Sequence, residues 1–339
     1  MNKYVQKEIK IGEYDYKNTR HIMLCGDENY IKYCGITITS VLINNKNTHY
    51  YFHIICDQIK EIDIIKLQAL SNKYLVNISI YILKCEEVNQ LIKSVNKDTH
   101  ISVATFFRII GFSILSDKCK YVLYMDSDMF IMGKIEDFWQ TKLPESIMAI
   151  TVIDSAELEH KKDISVNRYF NAGIMFMDLQ KWNKNDLTQK ALENIIRFKY
   201  KFMDQDALNI LLNRKSLYFD KKFNYLTHLD SLINNVKTPS KDNLFATDDL
   251  RIVHFVGAIK PWHSCALDFK IVKKYQDIKK ESFWNDCKNL DITDFDTNKQ
   301  KYKYARKEMK TSYKEGNIIK SILHLWRYIK YKLKNILID

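Results

Sequence analysis

Breaks and staples are scarce in this chain: 339 residues hold eight glycines and three prolines. Collagen-like and Gly/Pro-rich low-complexity polymers are thereby excluded. A disordered chain is excluded too, because 46% of residues are hydrophobic and 13% aromatic. No apolar run approaches the roughly 18 residues of a membrane span, and residues 1–13 lack the apolar core of a secretory signal. Cys25, Cys34, Cys56, Cys85, Cys119, Cys265 and Cys287 include no C-x-x-C pair and are odd in number. Neither a disulfide framework nor a zinc site has the needed spacing, so buried thiols in a reducing compartment are expected. These absences together predict a soluble, cytoplasmic protein.

Charge is abundant but uneven. Residues 299–339 contain twelve Lys/Arg and three Asp/Glu, which is +9 of the formal +12 for the whole chain. The preceding residues hold 41 basic and 38 acidic groups and are nearly neutral. Any attraction exerted by the basic charge is therefore exerted at the C-terminus.

Apolar runs at 21–26, 50–57, 77–83 and 121–126 read as strands, and 30–44, 60–73 and 103–115 read as helices between them. Alternation of this kind predicts a mostly parallel, helix-covered sheet. Further strands are expected at 147–153 and 251–256, an apolar run at 174–179, and helices at 186–199 and 206–213. Residues 1–20 read as an N-terminal extension, 21–270 as one domain and 271–339 as a helical, basic C-terminal region. Ligands of such sheets bind beyond the carboxyl ends of the strands, so the residues that follow each apolar run are the candidates for chemistry.

Asp126-Ser127-Asp128 follows one apolar strand and precedes Met129-Phe130. Two carboxylates flanking one residue at a strand end suit Mg²⁺ or Mn²⁺ bridging to a phosphate, although D-x-D alone also describes a solvated turn. In the run from His254 to His263 (HFVGAIKPWH), His254 can complete a carboxylate-rich Mn²⁺ site. Gly257 permits close backbone approach, Lys260 offers a compact cation, and Pro261 and Trp262 stiffen the loop. His254 and Trp262 equally suit ordinary half-buried packing. Asn171 can hydrogen-bond a polyhydroxylated ligand. Asp204 and Gln205 precede a helix, where capping accounts for an Asp, and Arg108 is either a surface charge or a phosphate contact.

In order, Asn29-Tyr30, Arg108, L-Y-M-D-S-D, Y-F-N-A-G, D-Q-D and H-F-V-G-A-I-K-P-W-H resemble the retaining glycosyltransferases of family 8. The likeness is to the bacterial lipopolysaccharide core α-glucosyl- and α-galactosyltransferases. It begins near Ile22, takes in residues 36–42 (ITITSVL) and 220–224 (DKKFN), and continues into the basic tail at Tyr304-Ala305.

The resemblance implies an α/β, Rossmann-like GT-A domain for nucleotide-diphospho-sugars, with a mixed, mostly parallel sheet and a helical basic C-terminal extension. It implies a UDP-glucose or UDP-galactose donor, Mn²⁺ or Mg²⁺, and retaining transfer to a lipopolysaccharide or lipooligosaccharide core, a lipid-linked oligosaccharide. A capsule, other glycan or glycoprotein acceptor is the alternative within the family. A basic nucleic-acid-binding module is the alternative outside enzymes, but no recognised motif accompanies the charge. By position, Asp126, Asp128 and His254 match metal ligands, while Gly26, Asp27 and Asn29 match the uridine loop. Gly257 and Lys260 match diphosphate contacts. Arg108, Asp154, Asn171, Ala172, Asp204 and Gln205 match the donor-sugar lining, with Ser127 inside the D-x-D. Cys25 departs from the small residue common there. Gln205 would lie beneath the sugar, and an amide is a poor nucleophile; attack from the leaving-group face is therefore expected, with Asp154 and Asp204 orienting hydroxyls. Apolar residues recur at helical spacing from Ile318 to Ile336, with Lys320, Arg327 and Lys334 on another face. That pattern suits an anionic membrane surface, and predicts a peripheral protein on the cytoplasmic face of the inner membrane.

Overall fold

The computed structural model describes residues 2–84, 104–198, 200–229, 249–291 and 298–336. In chain order the first elements are β1 (Val5–Ile11), β2 (Arg20–Cys25), α1 (Ile31–Asn44), β3 (Tyr50–Cys56), α2 (Glu61–Tyr74), β4 (Asn77–Leu83), α3 (Ala104–Leu115) and β5 (Tyr121–Asp126). Next come β6 (Met129–Ile131), α4 (Asp137–Gln140), β7 (Ala149–Ile153), α5 (Glu157–Asp163), β8 (Phe170–Asp178), α6 (Leu179–Lys184), α7 (Leu187–Arg197) and α8 (Met203–Leu211). The last are β9 (Ser216–Phe219), β10 (Tyr225–Leu226), β11 (Ile252–His254), α9 (Lys270–Glu281), α10 (Asn298–Lys314) and α11 (Ile318–Ile336). Val103 and Lys199, where two helices were expected to begin and end, lie outside the described residues.

The expected mixed α/β sheet is present, in the order β1-β4-β3-β2-β5-β8-β7-β9. Strands β4, β3, β2 and β5 run parallel, and β8 lies antiparallel to both β5 and β7. β2 and β3 read as near-continuous apolar runs because each is paired on both edges and covered on both faces. Met23 and Cys25 of β2 and Val122 and Tyr124 of β5 pack with Phe107, Ile110 and Phe112 of α3, Trp182 of α6 and Leu208 of α8. Alternate residues such as Ile22, Leu24 and Leu123 are also fully buried and point to the other face.

One strand differs from the sequence reading. Val5–Ile11, expected to fall in an extension, pairs antiparallel with β4 and forms a sheet edge. Lys7, Glu8 and Lys10 give it a polar outer surface suited to an edge, and that polarity hid it from a search for apolar runs.

The described residues divide into two compact units. The first comprises those of Met1–Leu226, Asp249–His254 and Ser282–Trp284. Trp284 belongs here in detail: its indole Nε1 donates to Asp63 at 2.7 Å, and its ring lies so close to Gly35 of α1 that a Cβ there would meet it at 2.1 Å. The second unit comprises the described residues of Thr227–Asp248, Phe255–Glu281 and Asn285–Asp339. It is helical, and α10 and α11 pack against each other. No described helix is long and apolar enough to cross a membrane.

Candidate active site

The turn between β5 and β6 carries the chain out of the large sheet into a small three-stranded one, ordered β10-β11-β6. Thr37 of α1 fixes that turn by donating to the carbonyls of Ser127 and Met129, both at 3.0 Å. In the small sheet His254 lies opposite Met129, the residue after Asp128. Antiparallel register thus brings an imidazole to two acids more than a hundred residues earlier in the sequence.

The three side chains converge. His254 Nε2 is 3.1 Å from Asp128 Oδ1 and 3.6 Å from Asp126 Oδ2. One ligand atom from each residue lies within 4.8 Å of the other two. The imidazole is almost wholly buried, at 3% exposure. Two hard oxygen donors and one imidazole nitrogen suit a divalent ion of the Mn²⁺ or Mg²⁺ kind. The fit is supported by the far side of the ring, where Nδ1 meets Asn224 Oδ1 at 3.1 Å and leaves Nε2 to face the carboxylates.

Arg108 stands beside this cluster, buried, and is not a surface charge. Its Nε lies 2.9 Å from Asp204 Oδ2, its Nη1 donates to the Ala172 carbonyl at 2.5 Å, and its Nη2 is 3.5 Å from Asp126 Oδ1. Its guanidinium also sits 4.8 Å from the centre of the Tyr124 ring. Burial disfavours the guanidinium charge, but Asp126 and Asp204 outweigh burial and raise its pKa. The Tyr124 hydroxyl donates to Asp126, and burial pushes its own pKa well up. Asp126 is therefore aimed by Tyr124 and Arg108 together.

The expected sugar-lining residues form one hydrogen-bonded group. Gln205 Oε1 accepts from Ala172 N at 2.9 Å and from Asn171 Nδ2 at 3.3 Å, and Gln205 Nε2 donates to the Tyr169 hydroxyl at 3.1 Å. Asn171 Nδ2 also reaches Asp154 Oδ2 at 3.5 Å, and Asp154 Oδ1 accepts from Ala156 N at 2.8 Å. Asn209 clamps Phe170 through both backbone groups, at 2.8 and 2.9 Å. Pairing between β7 and β8 shifts here, between Ile150 and Val152, and such irregularities re-aim side chains. Asp204 is 2% exposed, with its carboxylate turned to Arg108. Burial pushes its pKa up to about 7; Arg108 pulls it down and Asp126 pushes it further up. Gln205 and Asp204 lie within the first turn of α8 and not before it.

At the end of β2, Asp27 accepts from Asn29 N at 2.9 Å and Tyr30 N at 3.1 Å, which fixes the loop entering α1. Its pKa is raised, chiefly by burial. Gly26 is buried against Tyr30, with Asn29 exposed. Cys25 pairs in register with Asp126, and burial pushes its thiol well up. Gly257 and Lys260 belong to the second unit, three and six residues beyond His254. Gly257 has φ of 87°, which favours glycine. Lys260 Nζ donates to the Phe255 carbonyl at 2.6 Å. Sequence reasoning missed Asn224, Tyr124 and Tyr169 as site residues. Each lay inside a stretch already singled out (DKKFN, LYMDSD and YFNAG), but their duties depend on partners that no local pattern displays.

Sheet order, the acidic turn at the end of β5 and the imidazole facing it define a GT-A glycosyltransferase. Comparison with known proteins makes the class specific: the chain belongs to glycosyl transferase family 8, whose model matches residues 21–266. It is 29% identical to the lipopolysaccharide 1,3-galactosyltransferase of Salmonella typhimurium, with 98% of both chains covered. It is also 29% identical to a lipopolysaccharide 1,2-glucosyltransferase of Escherichia coli K12, with 82% of both covered. General stress protein A of Bacillus subtilis is 27% identical over 72% of this chain. Among solved structures, galactosyltransferase LgtC in complex with donor and acceptor sugar analogs shares the fold, with a TM-score of 0.64 at 22% identity. That likeness covers 78% of this chain and 96% of LgtC.

Proposed function

We propose that this enzyme is a retaining hexosyltransferase that moves glucose or galactose from a UDP-sugar to the core saccharide of a lipopolysaccharide or lipooligosaccharide. The observation that carries the reading is the convergence of Asp126, Asp128 and His254 at the strand ends. A divalent ion held there would supply positive charge to the departing diphosphate. Gly26, Asp27 and Asn29 form the uridine end of the donor site in this reading, and Gly257 and Lys260, assigned from the sequence pattern, its diphosphate end.

The chain's own residues hold the sugar and keep the site rigid. Asp154, Asn171 and Ala172 line the hexose, and Arg108 aligns Asp126 while Asp204 orients Arg108. Gln205 has its amide committed on both sides, to Ala172 and Asn171 through Oε1 and to Tyr169 through Nε2. A double displacement requires a free carboxylate nucleophile, about 5–5.5 Å from its partner in glycosidases. Asp204 faces Arg108, and Asp206 is engaged by the Tyr169 hydroxyl and by Phe202 N. These commitments support same-face attack: the acceptor hydroxyl oxygen bonds the anomeric carbon as the carbon–phosphate oxygen bond breaks. The bonding pair leaves with UDP, and the hydroxyl proton passes to a diphosphate oxygen.

The acceptor class is supported by coverage. The lipopolysaccharide transferases above match 82–98% of this chain, whereas General stress protein A and two Streptococcus pneumoniae glycosyltransferases match 72–73%. The longer matches take in more than the catalytic domain. The basic, outward apolar α11 supports a peripheral position on an anionic membrane, the cytoplasmic face of the inner membrane.

The test is UDP release from a panel of UDP-hexoses with Mn²⁺ present. UDP-glucose or UDP-galactose should be turned over, and chelation or Asp128→Asn should abolish the release. Undiminished release after chelation would contradict the reading.

A further inference from the structure

Asn224 lies at the bend just after the 3₁₀ turn Lys221–Phe223, with 2% of its surface exposed. It touches one residue from each half of the site. Its Nδ2 donates to Asn171 Oδ1 at 3.0 Å, and its Oδ1 faces His254 Nδ1 at 3.1 Å. The direction of this relay is fixed by groups that cannot turn. The backbone N–H of Gly173 donates to Asn171 Oδ1 at 3.0 Å, and that of Ala172 donates to Gln205 Oε1 at 2.9 Å. Asn171 must therefore present its oxygen to Asn224 and its amide nitrogen to Asp154 and Gln205. Asn224 in turn must present its amide nitrogen to Asn171 and its oxygen to His254. The proton of the neutral imidazole then sits on Nδ1, and the Nε2 lone pair points at Asp126 and Asp128.

Gly173 completes the arrangement. A Cβ there would come within 2.3 Å of His254 Cε1 and 2.8 Å of Nδ1, so the ring rests on the bare backbone of the strand that anchors the relay.

From this geometry we infer that Asn224 is a positioning residue: it selects the metal-binding tautomer of His254 and couples that ring to Asn171 on the sugar side. The inference rests on the metal reading of Asp126, Asp128 and His254. Hydrogen bonds to the far nitrogen of a ligating histidine fix its orientation, and their loss costs about 10–100-fold in metal affinity.

The test is Mn²⁺ affinity of the full chain, read from the electron paramagnetic resonance signal of free Mn²⁺, without substrate. Asn224→Leu removes both hydrogen bonds at similar volume and should weaken Mn²⁺ binding about 10–100-fold. Asn224→Asp retains an acceptor for Nδ1–H and should lose less Mn²⁺ affinity than Asn224→Leu. In a His254→Ala background Asn224→Leu should have no further effect, because coupled residues do not add. Long-range ¹H–¹⁵N spectra of the Mg²⁺-loaded parent should show His254 protonated on Nδ1 and not on Nε2, a readout that needs no variant to fold. The inference is overturned by a parent protonated on Nε2, by unchanged affinity in a folded Asn224→Leu, or by an equal loss with and without His254. If His254→Ala itself binds Mn²⁺ like the parent, the metal reading fails instead.

Discussion

Arg108 is buried against two carboxylates and a backbone carbonyl, with three of its nitrogens engaged separately. A planar fork can meet three partners at once, whereas an ammonium cannot. Arg108→Lys keeps the charge but leaves at least one buried carboxylate poorly matched, and should lower stability by about 2–3 kcal/mol in urea melts. Arg108→Met should cost more, about 3–5 kcal/mol, by stranding Asp204 and Asp126. Stability equal to the parent in both variants would show that Arg108 does not hold the site together. Individual residues differed in legibility. The D-x-D pair stood out because carboxylates beside an apolar strand need a solvated, paired or metal-bound explanation, whereas His254 equally suited half-buried packing and joined the pair through the family resemblance. Asn224 did not stand out, because its partners lie 30 and 53 positions away in sequence. Asp204 was named, but its burial behind Arg108 could not be read from D-Q-D.

Element α11 has its polarity inverted relative to an ordinary packed helix. Its buried positions are Ser321 and His324, with Ser321 donating to the Met309 carbonyl of α10 and His324 Nε2 lying 3.1 Å from Glu308. Its apolar side faces outward, with Ile319 84% and Trp326 72% exposed. An exposed stripe of this kind, interleaved with Lys320, Arg327 and Lys334, marks an interaction surface. Trp326→Glu in the full chain should therefore reduce co-sedimentation with anionic vesicles several-fold and leave UDP-sugar turnover unchanged. Equal sedimentation of parent and variant would remove the membrane proposal.

Two titratable groups, Glu308 and His324, are buried inside the same hairpin. Burial, then Asp291, pushes the Glu308 carboxyl up to about 7, with Lys320 and Arg327 pulling it down. Burial also lowers the pKa of His324. A carboxyl with a raised folded pKa gives its full stabilisation below its unfolded value, about 4.5, and loses it as pH rises toward 7. Glu308→Gln has no proton to lose, so its melting temperature relative to the parent should climb between pH 5 and pH 8. A constant difference across that range would contradict the burial argument. Helical spacing made α11 and its apolar stripe legible, but burial of Ser321 and His324 was not, since that depends on α10. β1 was illegible for a related reason: an edge strand needs only one buried face, and Lys7, Glu8 and Lys10 broke the apolar run.

At the scale of the whole molecule, alternation of apolar runs predicted the parallel core from β4 to β5 because period and length distinguish buried strands from helices. The antiparallel strand β8 and the small sheet of β6, β10 and β11 were not predicted as pairings. Register is set by contacts distant in sequence, and it is register that brings His254 beside Asp128. Family resemblance supplied the metal trio before the fold explained how it is assembled.

Calorimetric titration of UDP into the full chain, with and without Mn²⁺, tests that trio most directly. Binding by the parent should be at least about tenfold weaker after chelation, with Asp128→Asn and His254→Ala showing the weak affinity even when Mn²⁺ is present. UDP bound equally well without Mn²⁺, or a full Mn²⁺ effect in both variants, would contradict the account.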